Sequence, residues 1–244
     1  MLVTGPTGSG KTTTLYSILS ELNDPKRNIL TAEDPIEYEL EGIGQSQMKT
    51  EINYTFAKAL RTFLRQDPEV ILVGEIRDQE TGNIAVEAAL TGHLVCSTLH
   101  TNSAVETITR LVNMGIPNYL ISSSVSLVIG QRLARKICQD CKIEDKNASP
   151  KLLKQMKLPA DLKPCIGKGC KSCNNSGYKG RQGIYEILVV SKPIKEAILR
   201  QATTPELREI AVKEGFQTMQ DMGKRMIASG DLNFREYERV LSSE

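Results

Sequence analysis

Gly5-Pro6-Thr7-Gly8-Ser9-Gly10-Lys11-Thr12 lies between a short apolar run, Leu2-Val3, and a segment in which Leu15, Ile18, Leu19 and Leu22 recur at helical spacing. A loop of this composition between a strand and a helix has one well-understood use. Gly5, Gly8 and Gly10 let the backbone bend with its N–H groups turned inward, close to phosphate oxygens. Lys11 brings a positive charge to the β- and γ-phosphates, and the Thr12 hydroxyl is placed to ligate Mg²⁺. The helix that follows points its positive end at the same spot. Pro6, Thr7, Ser9 and Thr13 complete the expected contact set for a nucleotide.

Beyond the loop, strands alternate with helices. Asn23-Asp24-Pro25 stops the first helix. "NILTAE" (28–33), "VILVGE" (70–75) and "LVCSTLH" (94–100) are near-continuous apolar strands. Between and after them, "YTFAKALRTFLRQDP" puts Phe56, Leu60, Phe63 and Leu64 on one helical face. "DQETGNIAVEAALTGH" is a helix capped by Asp78, "SAVETITRLVNMG" is a helix ended by Gly115, and "NYLISSSVSLVIGQRLARKI" reads as another. Strands of this kind between helices predict an α/β fold, a mostly parallel sheet covered on both faces. The character changes at residue 138: residues 138–185 hold five of the six cysteines, so a small irregular insert is expected there. Helical pattern returns afterwards, with Thr204-Pro205-Glu206 as a helix start capped by Thr204. The expected organisation is a core over 1–137, a cysteine-bearing subdomain over 138–185 and a helical region over 186–244.

Composition narrows the classes. A net charge of +2 gives no support to a nucleic-acid surface, which shows a marked basic excess. No apolar run approaches the ~20 residues of a membrane span, and no signal peptide is visible. The expected compartment is therefore cytoplasmic, where the cysteines stay reduced or bind metal.

In open parallel sheets, ligands sit at the carboxyl ends of strands. That rule selects Glu33 and Asp34, Glu75 after Gly74, and His100 as partners for the cradle. The chain has two histidines, and they flank one strand. Seven extended residues span about 23 Å, so His100 is assigned to the nucleotide edge and His93 to a structural role. Arg61 and Arg65 stand four apart on one helix face. They either pair with local acids or reach a phosphate across a subunit boundary as arginine fingers.

Cys138-x-x-Cys141 and Cys170-x-x-Cys173 form two thiolate hooks, and tetrahedral Zn²⁺ needs four ligands. Redox pairs or free thiols are the alternatives. "ASPKLLKQMKL" is the candidate helix between the hooks. Cys165 fits neither hook, though it could substitute for Cys170, and Cys96 reads as a buried strand residue. Four protein ligands leave no open position, so a zinc here is structural.

"GPTGSGKTTTLY", "TAEDPIEY", "LRQDPEVILVGEIRDQET" and "AALTGHLVCSTLHTN" resemble, in order, the Walker A, Asp box, Walker B and His box of the secretion ATPase superfamily, the hexameric motors of type II secretion and type IV pili. "IGQRLARKICQDC" and "GCKSCNNSGYKGRQGIYEIL" resemble the cysteine-bearing segment of the secretion and pilus-assembly branch, which the retraction branch generally lacks. The resemblance implies a P-loop NTPase (RecA-like) fold with a zinc-binding subdomain and a helical C-terminus. It implies that Lys11 and Thr12 hold phosphate and Mg²⁺, that Glu75 supports Mg²⁺ through water, that Glu33 is the candidate general base, with the choice between the two glutamates open, and that His100 senses the γ-phosphate. It further implies ATP hydrolysis by a homo-hexamer, acting on a platform protein at the cytoplasmic face of the inner membrane. Family members carry another domain before the cradle strand, so this chain is expected to be the carboxyl-terminal motor half of a longer protein, slow on its own. A non-hydrolysing nucleotide-binding scaffold and a zinc-ribbon nucleic-acid motor remain as other readings.

Overall fold

A computed structural model describes residues 1–148 and 150–241. Ser149, within the "ASPKLLKQMKL" segment, and residues 242–244 of the expected helical C-terminus lie outside the described residues. The chain divides into two compact units, Met1–Gly130 with Ile187–Phe216, and Gln131–Glu186 with Gln217–Glu244.

The first unit runs β1 (Leu2–Thr4), α1 (Lys11–Leu22), β2 (Ile29–Glu33), β3 (Gly44–Gln47), α2 (Phe56–Phe63), β4 (Val70–Val73), α3 (Gln79–Leu90), β5 (Leu94–Leu99), α4 (Ala104–Asn113), α5 (Asn118–Ser124) and the start of β6 (Leu127–Ile137). It resumes with the end of β9 (Tyr178–Val189), then α7 (Lys192–Leu199) and α8 (Thr204–Lys213). Among the described residues these strands form a seven-stranded sheet in the order β3-β2-β4-β5-β1-β6-β9. Pairing is parallel from β3 through β6, with Leu2 opposite both Ser97 and Val128, and Val70 opposite both Ile29 and Leu94.

Side-chain alternation sends each strand's residues to two separate cores. Val3, Ile29, Val70, Leu72 and Cys96 pack with Leu15, Tyr16 and Leu19 of α1. Leu30, Ala32, Ile71 and Val73 pack on the opposite face with Leu60 and Phe63 of α2 and Ile84 of α3. The sheet is thus covered by helices on both faces, and the strands read as continuous apolar runs for that reason. Leu19 is fully buried; truncating a side chain so placed costs about 2–5 kcal/mol. Polar caps set the helix starts: Asp78 accepts from the Thr81 amide at 2.8 Å and Ser103 from the Glu106 amide at 3.3 Å.

Two sequence expectations are corrected. The helix over "NYLISSSVSLVIGQRLARKI" ends at Ser124, and its second half is the strand β6. β1 supplies the reason: its second edge would be left with unpaired backbone groups in a buried position, and β6 satisfies them. The local apolar spacing did not distinguish the two conformations, and the tertiary pairing decided. The cap of α8 is Thr203, whose amide donates to Glu206 at 2.7 Å in a capping box, so Thr204 is the first helical residue.

The second unit holds the rest of β6, β7 (Lys142–Glu144), α6 (Pro150–Gln155), β8 (Cys165–Gly167), most of β9, α9 (Met219–Ala228) and α10 (Phe234–Leu241). β7 and β8 form an antiparallel pair. Its core joins Ala134, Leu153, Ile184, Met219, Ile227 and Leu232. At its centre Glu236 is fully buried and receives the Arg135 amide at 2.8 Å, Arg135 Nη2 at 2.7 Å and Arg239 Nε at 2.8 Å. The Arg135 guanidinium also lies 4.2 Å from the Tyr178 ring centre.

Candidate nucleotide site and cysteine cluster

The loop between β1 and α1 owes its shape to glycine. Gly8 and Gly10 have φ of 77° and 89°, and Gly10 starts α1 with no side chain capping it. A β-carbon at Gly8 would meet nothing within 4 Å, so the need for glycine there is the backbone angle and not space. Lys11 folds back over the loop and donates to the carbonyls of Gly5 at 2.9 Å and Pro6 at 3.2 Å. Burial holds its ammonium below the usual lysine range, and nearby Glu75 opposes that shift. Thr12 and Thr13 stand in the first turn of α1. The Thr4 hydroxyl donates to the Leu99 carbonyl at 2.9 Å and accepts from the Thr101 amide at 3.1 Å, tying the base of the loop to the end of β5.

Glu75 follows β4 and is brought to the same place. Its side chain is 11% exposed. Arg77 pairs with Oε1, and His100 Nε2 lies 3.3 Å from Oε2, an oxygen that accepts no hydrogen bond. Gly74 lets the chain leave β4 close against β2: a β-carbon there would come within 3.2 Å of the Ala32 carbonyl. The loop is pinned by the Thr98 hydroxyl donating to the Gly74 carbonyl at 2.7 Å and by the Ile76 amide donating to Thr98 at 3.0 Å.

Glu33 takes a different position. It shares a face of β2 with Thr31, and its carboxylate accepts from the Thr31 hydroxyl at 2.5 Å, the Gln45 amide at 3.1 Å and the Tyr16 phenol. Lys11, Glu75 and His100 therefore gather, while Glu33 is held beside α1 by three neighbours. Arg61 pairs with Glu80 at 2.7 Å, both exposed. Arg65 has no ion pair or side-chain hydrogen bond among the described residues. His93 Nδ1 lies 2.9 Å from the Ala88 carbonyl, at the carboxyl end of α3.

Three participants escaped the sequence reading. Arg77 carried a signal, two residues beyond Glu75 in "GEIRD". Tyr16 stands among the buried residues of α1, and nothing in its spacing points to a carboxylate. Gln45 sits in "GQSQ", an edge strand with no apolar pattern.

In the second unit, Sγ atoms of Cys138, Cys141, Cys170 and Cys173 all lie within 4.8 Å of one another. The Cys138–Cys170 and Cys141–Cys173 separations are 3.9 Å, and Cys170–Cys173 is 3.7 Å. A tetrahedron with Zn–S bonds of ~2.3 Å has edges of about 3.8 Å. The donor set and spacing fit zinc. Amides of Gly169, Cys170 and Gly177 donate to Cys141 and Cys173 sulfurs at 3.2–3.3 Å, a supporting shell of the kind that stabilises thiolates. Burial opposes ionisation of Cys173, and the Cys170 and Gly177 amides outweigh it, bringing its pKa down to about 6. Cys165 stands apart, its sulfur 3.7 Å from the Lys163 carbonyl.

The parallel sheet with its glycine loop and lysine at a helix start defines a protein of the P-loop nucleotide-binding class. The Type II/IV secretion system protein family profile matches residues 1–239. The chain belongs to that family. It is 49% identical over 245 residues to a putative type II secretion system protein E of Escherichia coli K12, covering all of this chain and 49% of that protein. It is 48% identical over 243 residues to the type IV pilus assembly ATPase PilB of Myxococcus xanthus, covering 97% of this chain and 42% of PilB. Among solved structures, the pilus retraction motor PilT with bound ADP superposes with a TM-score of 0.71 at 32% identity, covering 98% of this chain and 60% of PilT. The ATPase DotB of Legionella pneumophila superposes with a TM-score of 0.69 at 30% identity, over 98% of this chain and 58% of DotB. The chain spans about half the length of the curated relatives it matches. Among the described residues no helix is long and apolar enough to cross a membrane.

Proposed function

We propose that this chain is the motor region of an ATP-hydrolysing subunit that powers type IV pilus assembly or type II protein secretion at the cytoplasmic face of the inner membrane. The observation that carries the reading is the meeting of Lys11, Glu75 and His100 beside the glycine loop at the carboxyl edge of the sheet. The names of the relatives, type II secretion protein E and pilus assembly ATPase, support it.

ATP takes its phosphates onto the loop over Gly5–Thr13, with Lys11 leaving its carbonyl partners for phosphate oxygens. The buried Glu75 Oε2, which accepts no hydrogen bond, is an acceptor suited to a cation's bound water, and Thr12 and Glu75 are the residues that would hold Mg²⁺. Mg²⁺ supplies neutralisation of the charge that develops on the phosphates. His100, 55% exposed, is free to turn from Glu75 toward the γ-phosphate. Glu33 is the candidate acceptor of the attacking water's proton; Tyr16, Thr31 and Gln45 hold its carboxylate beside α1, so it takes that role by giving up one of these donors. Arg65 lies exposed just past the end of α2 and acts across a subunit boundary in a homo-hexamer, and Arg61 joins it on leaving Glu80. Zinc on the four cysteines shapes the second unit, and an inner-membrane platform protein receives the motion. No direct nucleic-acid contact is expected, since the net charge is only +2.

Phosphate release by the full-length protein tests this. Glu75→Gln should lower turnover by about 10²-fold or more while the affinity for a fluorescent ATP analogue stays near wild type. Wild-type binding without phosphate release overturns the hydrolytic reading and favours a nucleotide-binding scaffold; full turnover by Glu75→Gln overturns the role given to Glu75.

A further inference from the structure

Glu75 is a carboxylate with little access to water, and a charge so placed is costly unless paired. Two cationic side chains and one imidazole are near it. Lys11 is already committed to two loop carbonyls. His100 stands 3.3 Å away without a hydrogen bond. Arg77 alone makes the direct contact, and its side chain is 64% exposed while that of Glu75 is 11% exposed. The arginine therefore compensates a buried charge from a position it can leave without repacking the core.

We propose that Arg77 is a positioning residue, the exchangeable counter-ion of Glu75. It neutralises and orients the carboxylate while no nucleotide is bound, and it yields Glu75 to the cation that arrives with a triphosphate, turning out to solvent. This rests on the nucleotide-site reading above. An arginine that merely braced the loop would not couple the site's preference for metal-loaded over metal-free nucleotide to its own charge.

The test is the affinity of the full-length protein for a fluorescent ATP analogue, with saturating Mg²⁺ and with EDTA. In Arg77→Gln the uncompensated carboxylate repels the metal-free triphosphate and accommodates the metal-loaded one. The ratio of the two affinities should rise about tenfold or more, equivalent to ~1.4 kcal/mol. Arg77→Lys, which keeps the charge, should stay within about threefold of wild type. In a Glu75→Gln background the same Arg77→Gln change should leave the ratio unmoved, because no carboxylate remains to be compensated. A ratio unchanged in Arg77→Gln, or shifted equally in both backgrounds, overturns the proposal. Should Arg77→Gln fail to fold, the double variant decides: recovery of folding and binding supports a counter-ion role, and continued misfolding overturns it. A wild-type protein that binds neither form refutes the underlying nucleotide reading instead.

Discussion

Tyr16 on α1 donates its phenol proton to Oε2 of Glu33 at the end of β2, and both side chains are buried. Oε1 of the same carboxylate accepts from Thr31 and Gln45. The helix that follows the phosphate loop is thereby fastened to the strand that carries the proposed base. Burial first, and then Glu33, push the Tyr16 hydroxyl well above the usual tyrosine range, so it remains a donor throughout ordinary working pH.

Removing that hydroxyl should be felt directly. Tyr16→Phe leaves a buried carboxylate oxygen without its partner, at a cost of about 1–3 kcal/mol. Urea denaturation followed by circular dichroism measures it. A variant as stable as wild type would show that the contact contributes nothing.

Gly8 offers a cleaner test of the loop. A β-carbon there meets no neighbour, yet the residue holds φ at 77°. Gly8→Ala should therefore lower stability by about 1–2 kcal/mol through the backbone alone. The melting temperature should fall by a few degrees, roughly 2–4 °C per kcal/mol for a chain of this size. An unchanged melting temperature contradicts the left-handed conformation.

Chelation addresses the cysteine cluster. Stripping zinc from the purified protein should speed hydrogen exchange across residues 138–185 and leave β1 and β4 of the other unit protected. About one zinc per chain should be found beforehand by elemental analysis. Unaltered exchange in 138–185 after complete metal removal would dispose of a structural metal.

Glu236 predicts an acid response of defined sign. Burial raises its pKa, and hydrogen bonds from Arg239 and Arg135 outweigh that and bring it down to about 2. A folded pKa below the unfolded value of 4.5 means stability that is fully present above 4.5 and disappears as pH falls through about 2. Glu236→Gln should cost about 1–3 kcal/mol at neutral pH, since it replaces the charged acceptor of two half-exposed arginines with a neutral amide. The gap between wild type and variant should narrow between pH 4.5 and pH 2 in urea titrations. A gap that is constant with pH would mean the pairing carries no charge-dependent stability.

Legibility in the sequence followed the range over which each pattern is written. The loop of Gly5–Thr12, the cap at Asp78 and the two cysteine hooks are specified within a few residues, and each stands where it was expected. The strand ends at Glu75 and His100 were also legible, because β-branched apolar runs closed by polar residues mark both the strand and its edge. β6 was not, since its apolar spacing is compatible with either a helix or a strand and the free edge of β1 made the choice. Arg77 was missed although Glu75 stands two residues away, because no local periodicity describes the turn after β4 that joins them; Gln45 was missed because nothing near it in the chain names its partner.

The amino-acid order by itself determined the backbone that can curl around a phosphate, the four sulfurs available to one metal and the acids and imidazole at strand ends. Local dihedral preference and side-chain chemistry are sufficient for those. Only the tertiary structure decided that Glu75 meets Arg77 and His100 while Glu33 turns to Tyr16. Pleat parity along β2 sets the face that Glu33 takes, and the turn after Gly74, pinned to Thr98 of β5, sets the place of Glu75; both are fixed by packing between segments far apart in the chain.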